Sequence, residues 1–192
     1  VYQYANKFED AVKTYDRAEK ALGISEVSSV QKMRILIEQD KLKEGIAEGE
    51  KLIQAFPGEE RYVMAFSEIL SQKGHRDEAI NYLEKFILEN KEAGNAQMLL
   101  AGMYRDNGQE EKARPLLIKL FDDNAIESSS KIIILASYNA ELNENKSKKI
   151  SDPDKENFAL TLFEKLSKEG ATNPNVYIIG GDLYLATGKN RE

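Results

Sequence analysis

The side chains best suited to acid–base or metal chemistry are few and scattered along the chain. The chain holds one histidine, His75, and no cysteine. His75 stands in the short polar stretch Gly74-His75-Arg76-Asp77, which is typical of an exposed turn between helices rather than of a general base. Without cysteine, disulfides and thiolate metal ligands are excluded.

Two further patterns match ligand sites only in part. Asp152, Asp154 and Glu156 alternate as acids do in calcium loops, but the glycine turn and the distant bidentate glutamate of such loops are missing. Beside Pro153 these acids are more typical of a helix start. No strand pattern precedes Gly180-Gly181 and no Gly-Lys-Ser/Thr follows it, so it is not a phosphate loop. We therefore predict no catalytic residue, no cofactor, no metal and no enzymatic activity.

The composition narrows the classes of partner. The chain carries 27 basic and 33 acidic residues, a net charge of -6, and an acidic chain gains little from counterion release on nucleic acid. No apolar run approaches the roughly 18 residues that a membrane helix needs. We expect neither nucleic acid binding nor direct membrane insertion, while the compartment stays open. Only four prolines in 192 residues, with few alternating apolar and polar windows, favour an all-α protein.

A short phrase that would open a helix recurs at a fixed interval. Its small residue is Ala11, Gly45, Ala79 and Ala113 in turn, each 34 residues after the last, and the next is Ala159 after 46. About twelve residues are therefore inserted, in the polar stretch 143–154. We expect a solvated loop there; its three lysines make a contact site for an acidic partner the alternative.

The repeat resembles the tetratricopeptide repeat (TPR) in period and in motif. Leu100-Ala101 and Tyr104, then Gly108, Ala113 and Leu117, follow the family pattern of a large, a small and an aromatic residue, a turn, and a second helix. The resemblance implies an all-α, right-handed superhelical solenoid of antiparallel helix pairs, with about ten helices. It also implies a concave face formed by the first helix of each pair.

We expect a single repeat array over residues 1–192. It would comprise a partial repeat 1–23, repeats at about 24–58, 59–92, 93–127 and 128–173, the last with the insertion 143–154, and a partial repeat 174–192. Both ends fall within a repeat, which predicts a fragment of a longer protein. Uncapped ends of this kind also predict possible self-association.

The same register places candidate binding residues partway along each first helix. They are an apolar series and, one turn further along, a series of sparse mixed charges in which Gly102 and Ala136 are the uncharged members. The residues are Val30, Met64, Met98, Ile132 and Ile178, with Arg34, Glu68 and Asp182. Methionines suit a surface that adapts to several partners. The alternative is that the apolar series belongs to the core and that the frame is off by one.

The function that these patterns favour is a non-enzymatic scaffold that binds a segment of a partner protein in the concave groove. The alternative is the repeat region of a larger enzyme, sensor or cell-envelope protein whose active part lies elsewhere. One repeat is unusual because Gly45 and Gly49 replace the expected alanine and large residue. Two glycines on one helix face predict either a close approach of two helices or a weak repeat.

Overall fold

A computed structural model describes residues 7–168 and 173–189, and within these ranges the chain forms helices and no strand. Three pieces of the predicted repeats lie outside the described residues. They are residues 1–6 of the first partial repeat, residues 169–172 near the end of repeat 128–173, and residues 190–192 of the last partial repeat. Ten helices follow one another in the described part: α1 Phe8–Leu22, α2 Glu26–Glu38, α3 Leu42–Ala55, α4 Glu60–Gln72, α5 Arg76–Glu89, α6 Gly94–Asp106, α7 Glu110–Asp122, α8 Ser128–Ser147, α9 Pro153–Lys168 and α10 Pro174–Thr187.

The helices keep the period found in the sequence. The first helices α2, α4, α6 and α8 begin at intervals of 34 residues, and so do the second helices α1, α3, α5 and α7. Only three residues separate α4 from α5, so the chain must reverse its direction between them. By contact the chain divides into two compact units, Val1–Ala113 and Arg114–Glu192.

One hydrogen-bonded motif ends several first helices. At Gly74, with φ of 88°, the His75 amide donates to the Leu70 carbonyl over 2.8 Å. Gly108, with φ of 69°, ends α6 in the same way. Glycine suits this left-handed conformation because it has no Cβ. Asp40 occupies the equivalent position after α2 with φ of 58°. The same left-handed conformation is therefore adopted here by a residue other than glycine, which the residue type does not indicate.

The core of the first unit contains a buried cation. The side chain of Lys32 on α2 is 1% exposed, and its Nζ lies 3.0 Å from Asp16, 2.9 Å from Glu19 and 2.7 Å from Glu48. These acids come from α1 and α3. Burial alone would lower the pKa of Lys32, but the hydrogen bonds to three carboxylates raise it above its ordinary value. The cluster therefore stays charged and ties three helices together.

Glu19 is the central carboxylate of this cluster. Besides Lys32 it accepts hydrogen bonds from Lys51 Nζ and from the hydroxyls of Ser28 and Ser29. Burial would raise the pKa of Glu19, but the hydrogen bonds from the two lysines outweigh it and the pKa is lowered. The cluster is sensitive to the loss of Lys32, because the Glu19 side chain is only 8% exposed and would remain buried with one of its two cations removed.

The two unusual glycines of α3 mark a close helix approach. A Cβ on Gly45 would lie 2.5 Å from Ile37 Cγ1, and a Cβ on Gly49 would lie 2.6 Å from the Phe66 ring. Both distances are shorter than any normal contact, so α3 could not pack as it does with larger side chains here. Of the two alternatives drawn from the sequence, the structure supports the close approach.

In the second unit α8 corrects the sequence prediction of a loop at 143–154. This helix has 20 residues and continues to Ser147, whereas α9 begins at Pro153. The loop prediction was wrong for residues 143–147, whereas residues 148–152 do lie between the two helices. At the end of α8, Glu144 pairs with Lys148 four residues later, as exposed helical pairs do. Lys146 Nζ also donates to the Leu185 carbonyl of α10 over 2.8 Å. The additional turns of α8 thus contact the end of α10 through Lys146, whose positive charge is favourable at a helix C-terminus.

Candidate partner-binding groove

The predicted apolar series of the first unit lies outside the core. Val30, Met64 and Met98 are all half-buried, whereas the residue before each of them, Ser29, Val63 or Gln97, is fully buried. One residue along a helix is a rotation of about 100°, so core and surface alternate sharply here. The alternative interpretation of these three residues as core is not supported by their exposure.

A cavity of about 570 Å³ opens between α4 and α6. Its volume lies within the range of small-ligand pockets, roughly 300 to 1,000 Å³. Four of its residues are apolar and two are acidic. The lining comprises Met64, Glu68, Ser71, Gln72, Asn95, Met98, Leu99, Gly102, Met103 and Asp106. The structure therefore brings three of the predicted site residues, those on α4 and α6, to one concave surface, which we call the groove cavity.

The shape of the groove cavity depends on a residue with no side chain. A Cβ on Gly102 would meet no heavy atom within 4 Å. Gly102 occupies the repeat position of Arg34 on α2 and Glu68 on α4, which are both exposed. Because α6 has glycine where α2 and α4 carry long side chains, no side chain from this position fills the groove cavity. The period of the sequence places Gly102 in this series but does not reveal the cavity that it leaves.

The rim of the groove cavity is acidic. Glu68 on α4 and Asp106 on α6 are exposed, and within residues 7–168 and 173–189 neither carboxylate has an ion-pair or hydrogen-bond partner. The cations nearby in sequence are engaged: Lys73 lies 3.3 Å from Glu38, and Arg76 donates to the Asp106 carbonyl over 3.1 Å. Arg34, the predicted cation of the series, lies on α2 and does not line the groove cavity.

The second unit holds the remaining predicted residues. Ile132 on α8 is half-buried, whereas Ile178 and Asp182 on α10 are exposed, Ile178 by 61%. Next to them, Tyr177 is 64% exposed and Leu185 is 72% exposed. At the repeat position of Tyr177 the four earlier first helices carry buried residues, Ser29, Val63, Gln97 and Lys131. Tyr177 is thus exposed at a repeat position that is buried in the four earlier first helices.

Lys131 is a buried residue that the sequence pattern did not reveal. It is fully buried in α8, and its Nζ donates to the carbonyls of Asp123 over 2.8 Å and Phe121 over 3.4 Å. The cation therefore satisfies carbonyls at the end of α7, where the helix dipole favours positive charge. Gln97, one period earlier, donates to the Lys91 carbonyl in the turn after α5 over 2.8 Å. A polar residue at this repeat position could therefore have indicated, from the sequence, a buried side chain that donates to a preceding main-chain carbonyl.

The residues best suited to acid–base or metal chemistry lie apart from one another. His75 is in the turn before α5, with Nδ1 3.8 Å from the Glu78 carboxylate. Asp152 accepts a hydrogen bond from the Lys155 amide over 3.0 Å, which is a helix cap. Among residues 7–168 and 173–189 no group of three acidic, histidine or cysteine side chains is arranged to hold a metal ion. None of the helices in those ranges is long and apolar enough to cross a membrane.

Comparison with solved structures decides the fold. A TPR protein from Parabacteroides merdae matches 98% of this chain and 70% of its own length, with a TM-score of 0.53 and 15% identity. A TPR protein from Thermus thermophilus matches 96% of this chain and 95% of its own length, with a TM-score of 0.52 and 16% identity. The chain has the TPR fold. No family model and no curated protein sequence matches it.

The TPR fold accounts for the placement of the groove cavity. In such repeats the first helices lie side by side, and their outward faces form a continuous surface. The groove cavity lies between two such neighbours, α4 and α6, at repeat positions that the sequence period had indicated. The TPR register thus specifies the location, whereas the lining residues belong to this chain.

Proposed function

We propose that the chain is a non-enzymatic interaction scaffold that holds a segment of a partner protein in the groove cavity. The observation that carries this proposal is the cavity of about 570 Å³ between α4 and α6, lined by Met64, Met98, Leu99 and Met103. Apolar side chains that stay partly exposed in a concave surface lose their contact with water when a segment binds. Flexible methionines fit such a segment without a preformed shape. The TPR fold supports the proposal, since it offers side-by-side helices rather than a catalytic cleft.

The test uses the double variant Met64→Glu, Met98→Glu. A photoreactive amino acid at Gln72, on the rim, would first identify the partner and its bound segment by cross-linking and mass spectrometry. The segment is then synthesised, and its affinity is measured by fluorescence anisotropy. We expect the double variant to weaken binding at least tenfold, because two buried charges would face the apolar segment, while circular dichroism shows unchanged helicity.

A matched control separates the groove from general surface charge. Leu22→Glu with Leu88→Glu changes two exposed leucines of the second helices α1 and α5, which are 87% and 74% exposed. This variant should bind the segment like the original chain. Equal binding by the Met64→Glu, Met98→Glu variant, with unchanged helicity, would refute the proposal.

A further inference from the structure

The groove cavity has an apolar floor and an acidic rim on both walls, and this combination limits what can occupy it. Met64 and Met98 form the floor, while Glu68 stands on α4 and Asp106 on α6. Both carboxylates accept hydrogen bonds and donate none at neutral pH. A segment that covers the floor therefore lies beside these two acids, because they line the same cavity.

Covering an unpaired carboxylate has a cost that the segment must offset. Glu68 and Asp106 keep their hydration now, because neither has a partner in the described part of the chain. When a purely apolar segment displaces that water, each carboxylate loses solvation without compensation. A lysine or arginine in the segment restores the interaction, and arginine can do so with two parallel hydrogen bonds.

The neighbouring cations of the chain form no ion pair with either rim carboxylate among the described residues. Lys73 is paired with Glu38 at 3.3 Å, and Arg105 with Glu110 at 3.6 Å. Arg76 contacts Asp106 only through the main-chain carbonyl, at 3.1 Å. The chain as a whole is also acidic, with a net charge of -6. An acidic segment would therefore meet repulsion at the rim, and a basic segment would meet attraction.

We propose that the groove cavity selects a cationic amphipathic segment, in which an apolar side chain contacts Met64 and Met98 and an adjacent lysine or arginine lies between Glu68 and Asp106. The inference rests on the proposed function and adds the chemistry of the partner. The rim carboxylates would cause the preference for charge, and the floor methionines would cause the affinity for apolar side chains. Substitutions can therefore remove one property and leave the other.

The first experiment selects the segment without prior choice. A library of random twelve-residue peptides displayed on phage is selected on the full chain and counter-selected on the Met64→Ala, Met98→Ala variant, which removes the apolar floor without adding charge. We expect the enriched peptides to carry lysine or arginine next to an apolar residue. Enriched peptides that are neutral or acidic would overturn the charge inference but leave the proposed function standing. If no enriched peptide depends on Met64 and Met98, both are overturned.

The second experiment measures the charge preference directly. Synthetic versions of the selected peptide carry lysine, glutamine or glutamate at the basic position, and their dissociation constants are measured at low salt. Two rim pairs of ordinary strength give the lysine peptide an advantage of about tenfold over the glutamine peptide. The variant Glu68→Gln, Asp106→Asn should abolish this advantage and still bind the glutamine peptide.

A control variant distinguishes the rim from the net charge of the chain. Glu9→Gln with Glu44→Gln removes two exposed carboxylates of α1 and α3 that have no side-chain partner among the described residues. This variant should keep the full preference for lysine, and raising the salt concentration should reduce that preference. If it loses as much as Glu68→Gln, Asp106→Asn does, the attraction is general and the inference is wrong.

Discussion

Gly49 on α3 and Phe66 on α4 are in contact, and exchanging their sizes tests whether the two residues are complementary or whether this contact is simply weak. A Cβ on Gly49 would lie 2.6 Å from the ring of Phe66. One period later the same two positions carry Leu83 and Leu100, both buried. A glycine and a phenylalanine in one repeat thus occupy the positions of two leucines in the next. We predict that Gly49→Leu and Phe66→Leu each destabilise the chain alone and compensate each other together.

The magnitudes follow from the space available. Gly49→Leu forces a side chain against a fully buried ring, which costs about 3 kcal/mol at the upper end for overpacking, less about 1 kcal/mol gained from replacing glycine in a helix. The net loss is about 2 kcal/mol. Phe66→Leu leaves a small void beside a glycine and costs about 1 kcal/mol. Independent effects would add to about 3 kcal/mol, whereas the double variant should lie within about 1 kcal/mol of the original chain.

Urea unfolding followed by far-UV circular dichroism measures these differences. With a slope of about 2 kcal/mol/M, Gly49→Leu should lower the midpoint by about 1 M, and the double variant should recover most of that shift. Gly102→Ala is the control, because its Cβ meets no atom within 4 Å, and it should raise stability by up to about 1 kcal/mol. A double variant as unstable as the sum of its parts would contradict the packing explanation.

Three further predictions concern charge and backbone. Lys32→Met should lower the free energy of unfolding by about 3 kcal/mol at pH 7, because three carboxylates lose a buried cation, and the loss measured by urea unfolding should shrink below pH 4. Asp40→Gly should raise it by up to about 1 kcal/mol in the same assay, because φ at Asp40 is 58°. Burial, with a hydrogen bond to a glutamate, raises the pKa of Tyr82 and of Tyr104 above the ordinary 10.0. The stability that these phenols contribute is therefore complete below pH 10 and lost as the pH rises further; Tyr82→Phe with Tyr104→Phe should flatten that decline in unfolding measurements from pH 9 to 11.

The sequence predicted the helical repeat well because the period is set by the lengths of the helices and by the turns between them. The helix starts at 26, 60, 94 and 128 repeat every 34 residues, and turns at Gly74 and Gly108 were expected from the polar stretch and the repeat motif that contain them. Asp40 makes the same turn without glycine. It could be found only from its place in the period, since aspartate tolerates this conformation less well than glycine does.

The polar parts of the structure were harder to predict. The stretch 143–147 is helical because of i,i+4 pairing and a contact with α10, and a long-range contact cannot be inferred from local composition. The buried cation Lys32 was missed for a related reason. Its three carboxylate partners lie 16, 13 and 16 residues away, on two other helices. Lysine is almost never fully buried unless it is paired, and the pairing depends on packing.

The candidate site was predictable in position but not in chemistry. The period alone placed Met64, Glu68 and Met98 on one surface. The cavity itself depends on Gly102 leaving space beside α6, and the rim depends on Asp106, which the sequence pattern did not single out. Whether a carboxylate is free or paired depends on the side chains around it. That information is three-dimensional, so the sequence suggested an apolar strip with mixed charges rather than an acidic rim.

One repeat position explains how the fold persists while the sequence pattern fades. It holds Lys32 in α2, Phe66 in α4, Leu100 in α6, Ile134 in α8 and Gly180 in α10. Three of these residues are visibly matched by their neighbours: carboxylates surround Lys32, Gly49 leaves room for Phe66, and a Cβ on Gly180 would lie 2.2 Å from the Phe163 ring.

Because each hairpin contacts mainly its neighbours, such exchanges are settled locally, pair by pair, and leave the backbone period intact. The residues that the TPR pattern prefers at each position can then be replaced one pair at a time. This is consistent with 15–16% identity to proteins of the same fold and with the absence of a matching family model. The groove residues are under still weaker packing constraint, since they lie one residue away from the core positions. An acidic rim can therefore arise on this surface with little effect on packing, and the proposed specificity for a cationic partner can change while the TPR fold stays the same.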